Sequence, residues 1–388
     1  MEKINRENKL RILFLITDLG KGGAERYLID LCTELLNYHE IEFIIGSLYD
    51  NNQYVQLSHK FKIVNLNFQT FSLRKKNENP EYKKLVQEFK PHIIHSHRFL
   101  GEFLSSYYIN PKIKYVCHFH DNMIQLEKPK VKNLLNKEKL IFALERNHLI
   151  KNKYKKAPSF FIANSTHTES FCNKNIPTYL KNNIRLIPYG FNYYRFKSEQ
   201  AKIIDTSKAI NILNVGSFQS KKNQIFIIEI AKILKKRELN FIINLIGEGE
   251  QFENVKNAIE QNKLQNNIIL TGNINDVENW YKKVDIYIHT AKYEPFGLVF
   301  LEAMASGTPI ITLDGKGNRD LIENGKNGFI INEENPEMFA DKIELLISNK
   351  SLYHSISEYA IEYSKKYDIK NKTKELIDFY YQIREKVN

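Results

Sequence analysis

No run of about 18 uncharged apolar residues occurs in this 388-residue chain, so no segment reads as a bilayer-spanning helix. Its opening, MEKINRENK, is polar and charged and unlike a secretory leader, so the chain reads as cytoplasmic. Cysteine is scarce. Cys32, Cys117 and Cys172 are an odd set without a CxxC pair, which argues against a disulfide framework and a zinc ribbon and leaves free, mostly buried thiols. GxxxxGK(S/T), a complete GxGxxG and GxSxG are all missing, so P-loop, dinucleotide-binding and nucleophile-elbow readings lack support. Low-complexity tracts and short-period repeats are missing too.

What is present is apolar, basic and periodic. Hydrophobic residues make up 42% of the chain, enough for two ordinary cores. Strand-length apolar runs alternate with amphipathic helix-length stretches throughout, the pattern of βαβ units and parallel sheets. RILFLI, EFIIGS, FKIVNLN, HIIHSH, KYVCHFH, SFFIAN and IRLIPYG predict one sheet. INILNVGSF, NFIINLIGEG, NIILTGN, VDIYIHTA, TPIITLD and GFIIN predict a second. The charged, aperiodic stretch between them predicts domains over 1–195 and 210–365 joined by a linker at 196–209, with a final helical segment, 366–388, returning to the first domain. This is an α/β chain of two doubly wound, Rossmann-like domains, whose ligands are expected in a cleft at the strand carboxyl ends.

The most informative segment is KYEPFGLVFLEAMASGTPII. A loop leads through Gly297 into a helix that stops near Gly307, where a turn with positive φ is expected, and Leu298, Leu301 and Met304 are placed on its core face. Free amides and the dipole at a glycine-flanked helix start suit phosphate. Glu294 before the helix and Glu302 inside it bring two carboxylates to that place, where they favour a hydroxyl-rich ligand. Taken alone, the pair also reads as a solvated loop residue and an ordinary helix ion pair.

In these residues the chain resembles the retaining GT-B glycosyltransferases of sequence family 4, which build polysaccharides, lipopolysaccharides and glycolipids. Glu294 and Glu302 match its two glutamates separated by seven intervening residues. GKGGAER, IIHSH, VCHFHD, IPYGFN, VGSFQSKKNQ, LIGEGE and DLIENGKNGFII follow in the family's order. The resemblance implies transfer of a sugar from a nucleoside diphosphate sugar to a glycan or lipid-linked acceptor. It places Glu302 on the ribose, Glu294 on the transferred sugar, and Phe296, Gly297, Leu298 and Val299 at the donor through their backbone. It puts Lys222 on the diphosphate and Gly22 and Gly23 near the donor phosphates, with Glu25, Arg26 and Asp121 toward the acceptor. His120 points at the sugar, so Glu294, His120 and Lys222 are the catalytic candidates. The family's usual arginine is replaced by Ser217, leaving Lys221, Lys222, the helix dipole or Arg319 to supply charge. His289 and Thr290 replace the family's Pro-Ser. Attack on the same face, with the leaving phosphate taking the proton, is the expected route.

Other readings are weaker. A nucleotide-sugar epimerase shares the fold. The net charge of +12, from 57 Lys plus Arg against 45 Asp plus Glu, suits nucleic acid or anionic lipid, but no RRM-like signature accompanies it, and nucleic acid is not an expected partner. Lys128, Lys130, Lys132, Lys137 and Lys139, with Lys151, Lys153, Lys155 and Lys156, flank apolar residues, which fits either a solvated face or contact with the inner face of an anionic membrane. His95 with His97 and His118 with His120 form two HxH pairs at neighbouring strand ends. Zinc needs a third and fourth ligand whose geometry the sequence leaves open, and His95 or His118 also reads as a core histidine. With no Asp-x-Asp, neither a metal nor another cofactor is expected.

Overall fold

A computed structural model of the chain describes residues 9–69, 78–130 and 136–386. Contacts divide it into two compact units, Met1–Gly190 with Ile369–Asn388, and Phe191–Asp368.

The first unit holds seven parallel strands: β1 (Leu10–Ile16), β2 (Ile41–Ser47), β3 (Ile63–Asn65), β4 (Ile93–His97), β5 (Lys114–Phe119), β6 (Ser159–Ala163) and β7 (Ile184–Leu186). Their order is β3-β2-β1-β4-β5-β6-β7, so the winding reverses between β1 and β4. Every residue of β4, β5 and β6 is buried, as expected of a parallel sheet covered on both faces. The helix Gly23–Leu35 turns Leu28, Leu31 and Leu35 inward. Against it packs the C-terminal helix Ile369–Glu385, which buries Leu376, Ile377, Tyr380 and Ile383.

The second unit repeats the plan with β8 (Ile210–Val215), β9 (Phe241–Ile246), β10 (Ile268–Gly272), β11 (Ile286–His289), β12 (Ile310–Leu313) and β13 (Gly328–Ile331). All pairs are parallel in the order β10-β9-β8-β11-β12-β13, with the reversal between β8 and β11.

By contacts the first unit ends at Gly190 and resumes at Ile369, a few residues from the 195/196 and 365/366 boundaries read from sequence. Residues 191–209 belong to the second unit, because polar groups tie them to it. Ser198 N donates to Ala305 O at 2.8 Å, and Lys202 Nζ donates to Tyr281 O at 2.6 Å and to Thr308 Oγ1 at 2.7 Å. At the other end, Phe191 N donates to Tyr367 O at 3.0 Å, which carries the unit on to Asp368. Periodicity cannot register such anchoring, since it uses backbone groups, one hydroxyl and one long side chain.

No helix among the described residues is long and apolar enough to cross a membrane. Lys132 lies outside the described residues, whereas Lys153 is no surface residue at all. Its ammonium sits 2.6 Å from Glu102 Oε2 with the two side chains 1% and 0% exposed. Ser105 Oγ accepts from Lys153 at 2.6 Å and Ser96 Oγ donates to Glu102 at 2.5 Å. Removing one partner of such a pair strands a buried charge. Lys153→Met is therefore expected to lower stability by about 3–5 kcal/mol in urea unfolding. A loss below about 1 kcal/mol, the worth of an exposed pair, would contradict the burial.

Candidate active site

In the second unit the functional candidates gather where β8 and β11 end side by side, at the reversal of strand order. Loops on either side are stitched together. Lys292 N donates to Lys221 O at 3.0 Å and Thr290 Oγ1 to Lys222 O at 3.2 Å. Glu294 is clamped through its backbone: its N–H donates to Gly315 O at 2.8 Å and its carbonyl accepts from Gly317 N at 3.1 Å. A Cβ on Gly317 would overlap the Pro295 carbonyl, and one on Gly315 would lie 2.7 Å from Glu294 Cβ. Both positions therefore need glycine.

The Glu294 side chain, in a residue 7% exposed, puts one oxygen between two donors. Oε2 lies 2.5 Å from Lys222 Nζ and 3.1 Å from His289 Nε2. The other imidazole nitrogen, Nδ1, is 3.0 Å from the Tyr287 hydroxyl. A neutral ring satisfies both contacts when Nε2–H donates to the carboxylate and Nδ1 accepts from the phenol. Burial pushes the Glu294 carboxyl up, but the Lys222 ammonium, then His289, outweigh it and hold the group well below the usual carboxylate range. Burial also lowers His289, against the pull of Glu294.

Beyond this cluster the chain enters the helix Leu298–Ala305 through Gly297, whose φ is +95°. A side chain there would be strained and would strike the Phe300 ring. The helix start carries no side-chain cap. Gly307, at φ +69°, ends the helix as expected. Leu301 and Met304 are buried as read from sequence, but Leu298 is only half-buried, because Phe300 takes the inward place against His289, ring centres 4.9 Å apart. Phe296 is buried, and Val299 and Glu302 are half-buried. After burial itself, the charges of Glu294 and Glu302 both raise the Tyr287 phenol. Arg319, one substitute for the arginine replaced by Ser217, instead pairs with Asp314, Nε to Oδ1 at 2.9 Å. The Ser217 carbonyl accepts from Gln224 Nε2 at 3.1 Å. Lys222 is thus the cation brought to Glu294.

The first unit gathers its candidates at the ends of β1, β4 and β5. Glu25 is buried and meets Arg98 at 2.7 Å, while Arg26 pairs with Asp30 along its own helix at 2.9 Å. A Cβ on Gly22 would collide with the Glu25 carboxylate, but one on Gly23 meets nothing within 4 Å. His120 is nearly buried with both ring nitrogens engaged, Nε2 to His97 Nδ1 at 2.8 Å and Nδ1 to the Tyr189 hydroxyl. Asp121 is half-buried, and its charge reaches Tyr189, as does that of Glu25. Arg98 and Tyr189 escaped the sequence reading. Arg98 adopts φ +64° directly after β4, uncommon for a non-glycine residue, which nothing in HSHR signals.

Two family models divide the chain: Glycosyltransferase Family 4 matches residues 21–195 and Glycosyl transferases group 1 matches residues 196–363. The chain belongs to the family 4 glycosyltransferases. An uncharacterized glycosyltransferase of Haemophilus influenzae is 26% identical to this transferase over 92% of the chain and 96% of its own length. The poly(glycerol-phosphate) alpha-glucosyltransferase of Bacillus subtilis is 32% identical over 40% of the chain, a match that spans only 24% of that enzyme. In fold, the transferase is similar to Anabaena HepE, solved in complex with UDP and glucose, at a TM-score of 0.77 and 20% identity, covering 96% of this chain and 99% of that one. Its two Rossmann-like units are those of the GT-B class.

Because Glu294 is depressed in the folded state, its charge contributes stability above the unfolded carboxyl pKa, near 4.5, and that contribution fades as pH falls through the folded value. Lys222→Met removes its strongest lowering influence. The stability difference between native and variant transferase is expected to shrink as pH drops from about 7 to about 3, followed by urea unfolding. A difference independent of pH would mean that the pair is not ionic.

Proposed function

We propose that this transferase takes a sugar from a nucleoside diphosphate sugar bound in its second unit and passes it, with retention, to a glycan or lipid-linked acceptor in cell-surface polymer synthesis. The shared carboxylate of Glu294, beside an uncapped helix start, carries the reading. Lys222 and the first amides after Gly297, with Phe296, Leu298 and Val299 alongside, are assigned to the diphosphate. Glu302 is assigned to the ribose and Glu294 to hydroxyls of the transferred sugar. Stabilising charge as it develops on the leaving phosphate is the main electrostatic task of such a transfer. The bond from the anomeric carbon to the phosphate oxygen breaks with its electron pair going to phosphate. The acceptor oxygen bonds the same face, and its proton passes to the leaving phosphate.

His120 is assigned to the transferred sugar, a role that requires it to exchange the Tyr189 hydroxyl for a sugar hydroxyl. Glu25, Arg26 and Asp121 are assigned to the acceptor side of the first unit. The names of the relatives support the substrate class: one glucosylates a glycerol-phosphate polymer, and HepE was solved with UDP and glucose. No metal is invoked to hold the donor.

Unfolding temperatures with UDP, GDP, ADP and CMP, and with their sugar conjugates, test the donor site. A ligand at about 100 times its Kd stabilises by roughly 2.7 kcal/mol. One base is expected to stabilise the native chain, and Glu302→Ala to abolish the effect. Stabilisation by none, or equal stabilisation of the variant, would remove the donor assignment. With an α-linked donor the product is expected to show an α linkage by NMR; a β linkage would exclude retention, and isomerised donor without a glycoside would mark an epimerase.

Exposed apolar side chains favour a second, compatible reading, attachment to the inner face of an anionic membrane. Ile124, Leu140 and Ile141 are 49%, 41% and 39% exposed beside exposed Lys128, Lys130, Lys137 and Lys139. Failure to sediment with anionic vesicles at low salt would end that reading.

A further inference from the structure

Three buried imidazoles in the first unit converge on one point. His95 and His97 lie on the same face of β4, and His118 faces them from β5, where it pairs in register with His97. All three are 0% exposed, and one nitrogen of each lies within 4.8 Å of the others. Their rings stack, with His95 and His118 5.3 Å apart and 6° from parallel. Nε2 of His95, Nε2 of His97 and both nitrogens of His118 have no hydrogen-bond partner among the described residues. Core histidines normally have their ring nitrogens satisfied, so these leave a requirement that the protein itself does not meet.

The remaining nitrogens are held in the way metal ligands are held. His95 Nδ1 lies 2.5 Å from the Tyr380 hydroxyl, and His97 Nδ1 lies 2.8 Å from His120 Nε2. When His95 donates to the phenol oxygen and His97 to His120, whose own Nδ1–H donates to Tyr189, both unpartnered Nε2 atoms become lone pairs. Donation of the far N–H fixes the tautomer and aim of a ligating imidazole. Burial keeps the rings neutral, the form that binds a cation.

We infer that His95, His97 and His118 form a binding site for one imidazole-preferring divalent transition metal, zinc being the natural occupant, with water in the fourth position. Three histidines and an open position are an established zinc ligand set. Nitrogens bound tetrahedrally at about 2.0–2.1 Å lie roughly 3.4 Å apart, so loading draws the rings together. The cation would join β4 to β5 and fix His97, which in turn orients His120. This departs from the expectation, drawn from sequence, that no metal is bound, and it does not depend on the donor assignment.

Full-length protein stripped by chelator and titrated with Co2+ tests the site through the visible absorption of the bound ion, alongside unfolding temperature and the zinc content of Zn2+-reconstituted protein. One equivalent per chain is expected, with a raised unfolding temperature. Binding should be lost in His118→Leu and in the more conservative His95→Gln, but kept when the exposed His354 is changed to Gln. Tyr380→Phe, which removes the partner of His95 Nδ1, should weaken Co2+ binding about 10- to 100-fold. If the native chain shows no spectrum and no stabilisation, the cluster holds water and the inference fails. Equal binding by His95→Gln would trace the metal to surface histidines, with the same consequence. His95→Gln and the native stoichiometry decide the matter even if His118→Leu does not fold.

Discussion

One carboxylate oxygen organises the second unit's site. Glu294 Oε2 receives Lys222 and His289 together, and this is why the loops after β8 and β11 meet as they do. Buried without those donors, the carboxylate would be too costly to keep ionised. With them it is an anchored anion that holds a lysine beside an uncapped helix start. Glycines at 315 and 317 allow neighbouring backbone to close on Glu294 from both sides, and Gly297 turns the chain into the helix. The fold contributes the location: parallel strands whose order reverses at β8 and β11 leave room at their carboxyl ends.

The replacement of the family's Pro-Ser by His289 and Thr290 becomes intelligible in this setting. His289 links Glu294 to Tyr287, and Thr290 bonds the Lys222 carbonyl. Both substitutions support the pair from below, so the departure from the family pattern keeps the carboxylate in place. The replacement by Ser217 has no such compensation from Arg319, which Asp314 occupies, and Lys222 is left as the cation at Glu294. In the first unit, by contrast, the floor is aromatic and neutral. Tyr27, Tyr189 and four histidines stack there, with ring centres of Tyr27 and Tyr189 4.5 Å apart.

Every strand run read in the sequence forms a strand, because uninterrupted apolar stretches bounded by turn residues have few alternatives in a parallel sheet. Gly297 and Gly307 were legible as the start and stop of one helix; the positive φ was expected at Gly307, whereas that of Gly297 emerges only from the structure. The three cysteines are free and buried, as expected. Features that depend on distant partners were not legible. Lys153 belongs to a basic run yet enters the core because Glu102 waits there, 51 positions away in sequence. Phe300 displaces Leu298 from the inward face because His289 offers a ring to pack on. The anchoring of residues 191–209 and the engagement of both His120 nitrogens are likewise matters of tertiary contact.

Amide hydrogen exchange of the native transferase with and without saturating UDP or its best-binding counterpart would test the central assignment most directly. Protection is expected to concentrate in the loop around 216–222 and in 294–302, where the anchored carboxylate, the lysine and the helix start come together. Protection confined to the Gly22 loop and the β4 and β5 ends, with 294–302 unchanged, would place the nucleotide in the first unit and contradict the account.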